Sequence, residues 1–249
     1  MNDFLKQTIQ KLAHLCGYEI IPKFPTDIDI EDLQIIDSVK PFTMTNTERI
    51  FSLIQSVRYV VENDIPGDIV ECGVWKGGSM MASAKTLLQL QNQKKHLFLF
   101  DTFEGMSKPE DVDVSKSNIV ASEEFNNTKV DLDSSSWCRV TLDDVKFNLY
   151  STGYDQSKIH FIKGKVEDTL PTDELKSISI LRLDTDWYKS TKHELINLFP
   201  KISKGGVLII DDYGFWQGAK QAVDEYISEN NIKILLNRID HTGRIGIKQ

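Results

Sequence analysis

The sequence predicts an α/β protein whose mostly parallel sheet ends in an antiparallel hairpin. From residue 67 onward, the apolar runs GDIVECG, HLFLFD, KIHFIKG, SISILRLD and GGVLIIDD alternate with helical patterns. Strands that are apolar on both faces and separated by helices belong to a parallel sheet covered on both sides. The last two runs, KILLNR at 233–238 and GRIGIK at 243–248, leave no room for a crossover helix between them. They read as an antiparallel hairpin at the sheet edge.

Taken in order, Leu5, Ile9, Leu12 and Cys16 fall at helical spacing near the N-terminus. Residues 22–46 contain prolines and no period, and read as a surface connection. The pattern Thr45-x-x-Glu48 is a capping box, and Ile50, Ile54, Val57 and Val61 form the core stripe of the helix it opens. Strands are expected at 67–73, 96–101, 158–164, 177–184 and 205–212, with helices at 79–91, 167–176, 189–200 and 216–229. The division is a helical extension at 1–66 and an α/β domain at 67–249. Residues 102–150 are too long for an ordinary connection. They leave the carboxyl end of a strand, where ligands bind in open α/β sheets, so about 104–150 reads as a lid or acceptor-binding insertion.

With 40% hydrophobic and 27% charged residues, the 249-residue chain has a sizeable core. A formal charge of −8 argues against nucleic acid as a partner. Cys16, Cys72 and Cys138 are odd in number and lack metal-ligand spacing, which points to reduced thiols. Asp3, Lys6 and Lys11 interrupt any secretion signal, and no run reaches membrane-spanning length. A cytoplasmic protein with no membrane partner is expected. The N-terminal helices offer a surface for a homodimer.

The first chemical motif is GDIVECGVWKGGSM, where a strand ends in Glu71 and Gly73, Gly77 and Gly78 open a helix. Glycines let the backbone approach a ligand at a helix N-terminus. The spacing is not the phosphate-cradling G-x-G-x-x-G, and a carboxylate here suits an amino or sulfonium group rather than a pyrophosphate. The next strand ends in Asp101, placed to accept hydrogen bonds from ribose hydroxyls, with Phe103 and Gly105 beside it as an apolar wall and a bend. Each feature alone fits a tight turn or a helix cap. Together they favour a nucleoside-bearing, partly cationic cofactor, S-adenosylmethionine.

Two strands end on paired acids, LRLDTDWY at 181–188 and VLIIDDYG at 207–214. Residues i and i+2 of an extended segment share a side, so Asp184 and Asp186 face one cavity, and Asp211 and Asp212 reach the same edge from the neighbouring strand. Converging carboxylates without a clustered lysine or arginine suggest a hard divalent cation, and Mg²⁺ fits best. The dispersed histidines argue against zinc. A helix cap accounts for Asp186 or Asp212 singly, but four caps in two adjacent doublets is a poor account.

DIVECGVWKGG, DTFEG, VEDTLP, LRLDTDWYKST, KGGVLIIDDYG and GAKQAVDEYI, in that order over roughly residues 41–230, resemble the macrocin O-methyltransferase family. The resemblance implies a class I methyltransferase fold with a Rossmann-like, seven-stranded sheet. It also implies Mg²⁺-dependent methylation of a sugar hydroxyl by S-adenosylmethionine. Under it Asp184, Asp211 and Asp212 match metal ligands and Asp186 the general base. Glu71, Gly73, Gly77, Asp101, Thr102, Phe103 and Asp184 match the cofactor pocket, with Thr45, Ser79 and Glu167 beside them. Lys76 stands where arginine is frequent in the family, and 106–150 matches poorly. The expected chemistry has two neighbouring sugar hydroxyls chelating the metal, and Asp186 taking a proton as the methyl group moves. The rivals are a catechol-type O-methyltransferase and a non-catalytic module binding a dinucleotide or a nucleotide sugar.

Overall fold

The computed structural model describes residues 3–18 and 27–249. The N-terminal stripe forms helix α1 (Asp3–Leu15), but Leu5, Ile9 and Leu12 are exposed and meet no core. The expected connection at 22–46 is corrected in its second half, and its residues 22–26 lie outside the described ones. Helix α2 (Ile30–Val39) buries Ile35, Ile36 and Val39. Helix α3 (Thr47–Glu62) buries Ile50, Ile54 and Val57 as expected, while Val61 stays only partly covered. Its cap is Asn46 rather than Thr45: the Asn46 side chain accepts from the Arg49 amide at 3.0 Å.

Next come strand β1 (Asp68–Cys72), helix α4 (Gly78–Gln89) and strand β2 (Leu97–Asp101). The segment expected as one insertion contains α5 (Ala121–Thr128) and α6 (Leu142–Tyr150). Val145 and Leu149 of α6 belong to the core, so α6 is the crossover helix to β3 (Ile159–Lys163), and the true excursion is shorter than 104–150. The helix expected at 167–176 is one short turn, α7 (Val166–Thr169). Strand β4 (Ile178–Leu183), helix α8 (Tyr188–Leu198), strand β5 (Ile202–Ile210) and helix α9 (Gln217–Glu229) follow. The hairpin is β6 (Asn237–Arg238) and β7 (Arg244–Ile247), shorter at its start than expected.

The sheet order is β3-β2-β1-β4-β5-β7-β6. The five strands from β3 to β5 are parallel, and β7 runs antiparallel to β5 and to β6. Ile69, Leu99, Ile180 and Ile209 face α2, α3, α4 and α6, while Val70, Phe100, Leu181 and Ile210 face α7, α8 and α9. Successive side chains point to opposite faces, which is why these runs are apolar throughout. Winding reverses between β1 and β4. In open α/β sheets the crevice at that switch point is where ligands bind.

Candidate active site

At the switch point the chain after β1 is pressed against the chain after β4. The Asp184 amide donates to the Cys72 carbonyl at 2.8 Å, and a Cβ added at Gly73 would run into the Asp184 carbonyl. Gly73 also has φ +80°, open to glycine at no cost. Asp101 holds the glycine-rich turn: Oδ2 accepts from the amides of Val74 (2.6 Å) and Trp75 (3.2 Å), and Oδ1 from that of Phe103 (2.7 Å). The carboxylate expected to meet a ribose thus ties three backbone amides at the edge of the crevice. Phe103 is 4% exposed and packs edge-on against Phe161, so it backs the crevice from the core instead of walling it.

Two connected cavities occupy the crevice. One, about 70 Å³, is lined by Thr102, Gly164, Glu167 and Thr185 among others. The other, about 360 Å³, is lined by Thr45, Ser79, Asp186, Asp211, Asp212 and an aromatic wall of Trp137, Phe215 and Trp216. Gly73, Asp101, Gly105, Met106 and Asp184 border both. Gly77 lies outside both and starts α4 at φ +86°, where a Cβ would strike Leu149. Glu71 is buried beneath the floor.

Among the described residues, Asp184, Asp186 and Asp212 bring carboxylate oxygens within 4.8 Å of one another. Burial, helped by the neighbouring Asp184 and Asp211 charges and opposed by the Asp212 hydrogen bond, pushes Asp186 up to about 7. Burial first, with repulsion from the neighbouring acids and against the pull of Arg182, lifts Asp184 and Asp212 well above the carboxylate range. Asp212 Oδ2 is buried without a hydrogen-bond partner. Such a cluster is costly as bare anions and suits a hard cation with oxygen ligands.

Asp211 is placed differently. Its Oδ1 accepts from Arg182 Nη2 at 2.5 Å and its Oδ2 from Arg49 Nη1. Arg182 Nη1 also reaches Glu71 Oε1 and Asp184 Oδ2, each at 2.6 Å. The positive charge that the sequence seemed to lack is therefore two residues before Asp184, in the same motif and on the same face of β4. Alternation alone would have found it. Arg49, brought from α3, could not have been found that way.

Neither acid doublet serves as a helix cap. The Tyr188 amide that opens α8 donates to Asp113 Oδ1 at 2.9 Å, and the amides of Phe215 and Trp216 donate to the backbone carbonyl of Asp212. Asp113 comes from the excursion after β2, which is tied down elsewhere too. The Trp187 indole donates to the Ser107 carbonyl at 3.0 Å, and the Gln217 amide to that of Val114 at 3.0 Å. These anchors place Trp137 against Trp187 and Trp216, with ring centroids 5.7 and 6.3 Å away.

The family profile for Macrocin-O-methyltransferase (TylF) matches residues 33–245, across the parallel strands and both acid doublets and into β7. The chain belongs to the macrocin O-methyltransferase family. It is 32% identical over 201 residues to demethyldecarbamoylnovobiocin O-methyltransferase of Streptomyces niveus, covering 81% of this chain and 73% of that one. Over the same shares it is 31% identical to 8-demethyl-8-(2,3-dimethoxy-alpha-L-rhamnosyl)-tetracenomycin-C 4'-O-methyltransferase of Streptomyces olivaceus. The solved O-methyltransferase NovP superposes with a TM-score of 0.72 at 31% identity, covering 84% of this chain and 82% of that one. The chain is thus an O-methyltransferase with the α/β fold expected of one. No helix among its described residues is long and apolar enough to cross a membrane.

Proposed function

We propose that this O-methyltransferase moves a methyl group from S-adenosylmethionine to a sugar hydroxyl with the help of Mg²⁺. The observation that carries the reading is the sharing of Gly73, Asp101 and Asp184 between the small cavity and the larger one floored by carboxylates. Gly73, Asp101, Thr102 and Glu167 would hold the donor, next to the acids that line the larger cavity. Carboxylates around the reaction centre favour a sulfonium over a neutral or anionic donor.

Asp184 and Asp212 would hold the cation. Asp211 joins them through lone pairs left over from its two arginine bonds, since an ionised carboxylate has about four acceptor sites. Held there, Mg²⁺ supplies Lewis-acid polarisation that makes an acceptor hydroxyl easier to deprotonate. Asp186 takes the proton: it faces the cavity beside the acids that would hold the cation, within reach of an acceptor hydroxyl bound there. The Trp137, Phe215 and Trp216 wall offers flat apolar surface to the C–H face of a sugar ring and excludes water. The Streptomyces olivaceus relative is named for a rhamnosyl group and a 4'-O-methylation, which supports a sugar acceptor here.

The test has two stages. Calorimetry should show S-adenosylhomocysteine binding, and tight NAD binding in its place would refute the donor. Turnover with Mg²⁺ should then favour rhamnosides over catechols. Methylation of the catechol alone would move the enzyme to aromatic diols.

A further inference from the structure

Asp186 sits at the centre of an unusual turn. Its φ is +67°, and the Trp187 amide donates across it to the Thr185 carbonyl at 2.8 Å. A two-residue hydrogen bond over a positive φ is a γ-turn of the rare, strained hand. Such a conformation persists only where its surroundings over-determine it, and it tends to occur where function needs it. Here the turn aims the Asp186 carboxylate back at Asp184 and Asp212.

What holds the turn lies behind it, on α8. Thr185 Oγ1 donates to Glu194 Oε1 at 2.9 Å, and Ser190 Oγ donates to the Thr185 carbonyl at 3.3 Å. Glu194 is fully buried, and its second oxygen has no hydrogen-bond partner. It lies beneath the cavity floor with no arginine or lysine bonded to it among the described residues, an expensive place for a carboxyl that only fills space. Leucine would fill an α8 core position at lower cost. Its one bond goes to the residue flanked by Asp184 and Asp186.

We propose that Glu194 is a positioning residue that, through Thr185, holds the turn presenting Asp186 to Asp184 and Asp212. The cation part of this rests on the proposed function, while the turn itself does not. Glu194 touches neither donor nor acceptor and acts through the hydrogen bond, so an uncharged acceptor of the same shape serves as well.

The experiment titrates the purified protein and its variants with Mn²⁺, read by paramagnetic resonance, and records the Trp187 indole N–H resonance. Glu194→Ala and Thr185→Val are each expected to weaken Mn²⁺ binding by roughly tenfold to a hundredfold, because a loosened turn also frees Asp184, the proposed ligand beside Thr185. The double variant should be no weaker than the weaker single one, because both remove the same bond. Glu194→Gln keeps an oxygen for Thr185 and should stay within about twofold of the unaltered affinity, by the same hydrogen-bond logic. The Trp187 resonance should move in the Ala and Val variants and stay put in the Gln variant. It needs no cation, so an unaltered protein that binds no Mn²⁺ sinks the cation site while the resonance still decides the turn. A folded Glu194→Ala protein with unchanged affinity and resonance overturns the proposal, as does Glu194→Gln behaving like Ala. If Glu194→Ala does not fold, Glu194→Gln and Thr185→Val decide it by the same readouts.

Discussion

Glu71 and Arg182 are register partners on adjacent parallel strands, and the guanidinium Nη1 lies 2.6 Å from Glu71 Oε1. The pair is buried, and the same guanidinium serves Asp184 and Asp211, so one cation offsets three acids under the active-site floor. Removing it strands Glu71 and Asp184 and leaves Asp211 with Arg49. Arg182→Met is expected to cost about 3–5 kcal/mol in urea unfolding, the usual penalty for breaking a buried ion pair from one side. Arg182→Lys should recover only part, since a single ammonium cannot reproduce the fork. A Met variant as stable as the unaltered protein would show that the acids do not need the arginine.

The same pair predicts a pH dependence. Burial, outweighing the opposing pull of Arg182, raises Glu71 from 4.5 to about 7. A carboxyl with a raised folded pKa binds protons better folded than unfolded. Its contribution to stability is complete below about pH 4.5 and is lost as pH rises through about 7. In chelator, Glu71→Gln should therefore flatten the fall in stability over that window. The steepest difference in slope would be about 1.4 kcal/mol per pH unit, one proton's worth. Parallel stability curves for the two proteins would place the Glu71 pKa near its ordinary value.

Much of the architecture was legible in the sequence because the parallel strands are buried on both faces and leave no polar alternation to confuse them. Helix α2 was missed for a physical reason. Its stripe runs Asp32, Ile35, Ile36 and Val39, and its first position holds a carboxylate whose partner, Arg58, is 2.5 Å away on another helix. A charge at a core position hides a period until its counter-charge is known. Helix α6 was hidden likewise, because Val145 and Leu149 are its only buried side chains. The convergence of the acids was legible from alternation, whereas Arg49 reaches Asp211 across 162 positions and Glu194 meets Thr185 only once α8 folds back under the strand end.

Gly73 tests whether the glycine turn is required by the fold as well as by a ligand. An added Cβ would meet the Asp184 backbone, which no side-chain rearrangement relieves, and φ is already +80°. Gly73→Ala should lose at least about 1–3 kcal/mol of stability, as overpacked sites do. It should also lose S-adenosylhomocysteine binding in calorimetry. Gly77→Ala meets a flexible Leu149 methyl instead and should keep measurable binding despite its strained φ. Equal binding losses in the two variants would contradict the close approach of the β1 and β4 ends as the reason for Gly73.

The last test concerns which aspartates hold the cation and which one takes the proton. Asp186 lies with Asp184 and Asp212 in one tight triplet, whereas Asp211 is shared with two arginines, so geometry by itself would make Asp186 the third ligand. The proposed mechanism makes it the base. Asparagine separates the two roles, because it tolerates a positive φ better than most residues and leaves the γ-turn intact while removing the basic oxygen. Asp186→Asn should fold normally and keep Mg²⁺ and S-adenosylhomocysteine binding, yet lose turnover on the order of 10²–10⁴-fold. Asp184→Asn and Asp211→Asn should instead weaken Mg²⁺ in calorimetry, and excess chelator should silence the unaltered enzyme until Mg²⁺ is restored. If Asp186→Asn loses the cation while Asp211→Asn keeps it, the roles are exchanged. Asp186 is then a ligand, and Asp211 serves only the arginines that hold it.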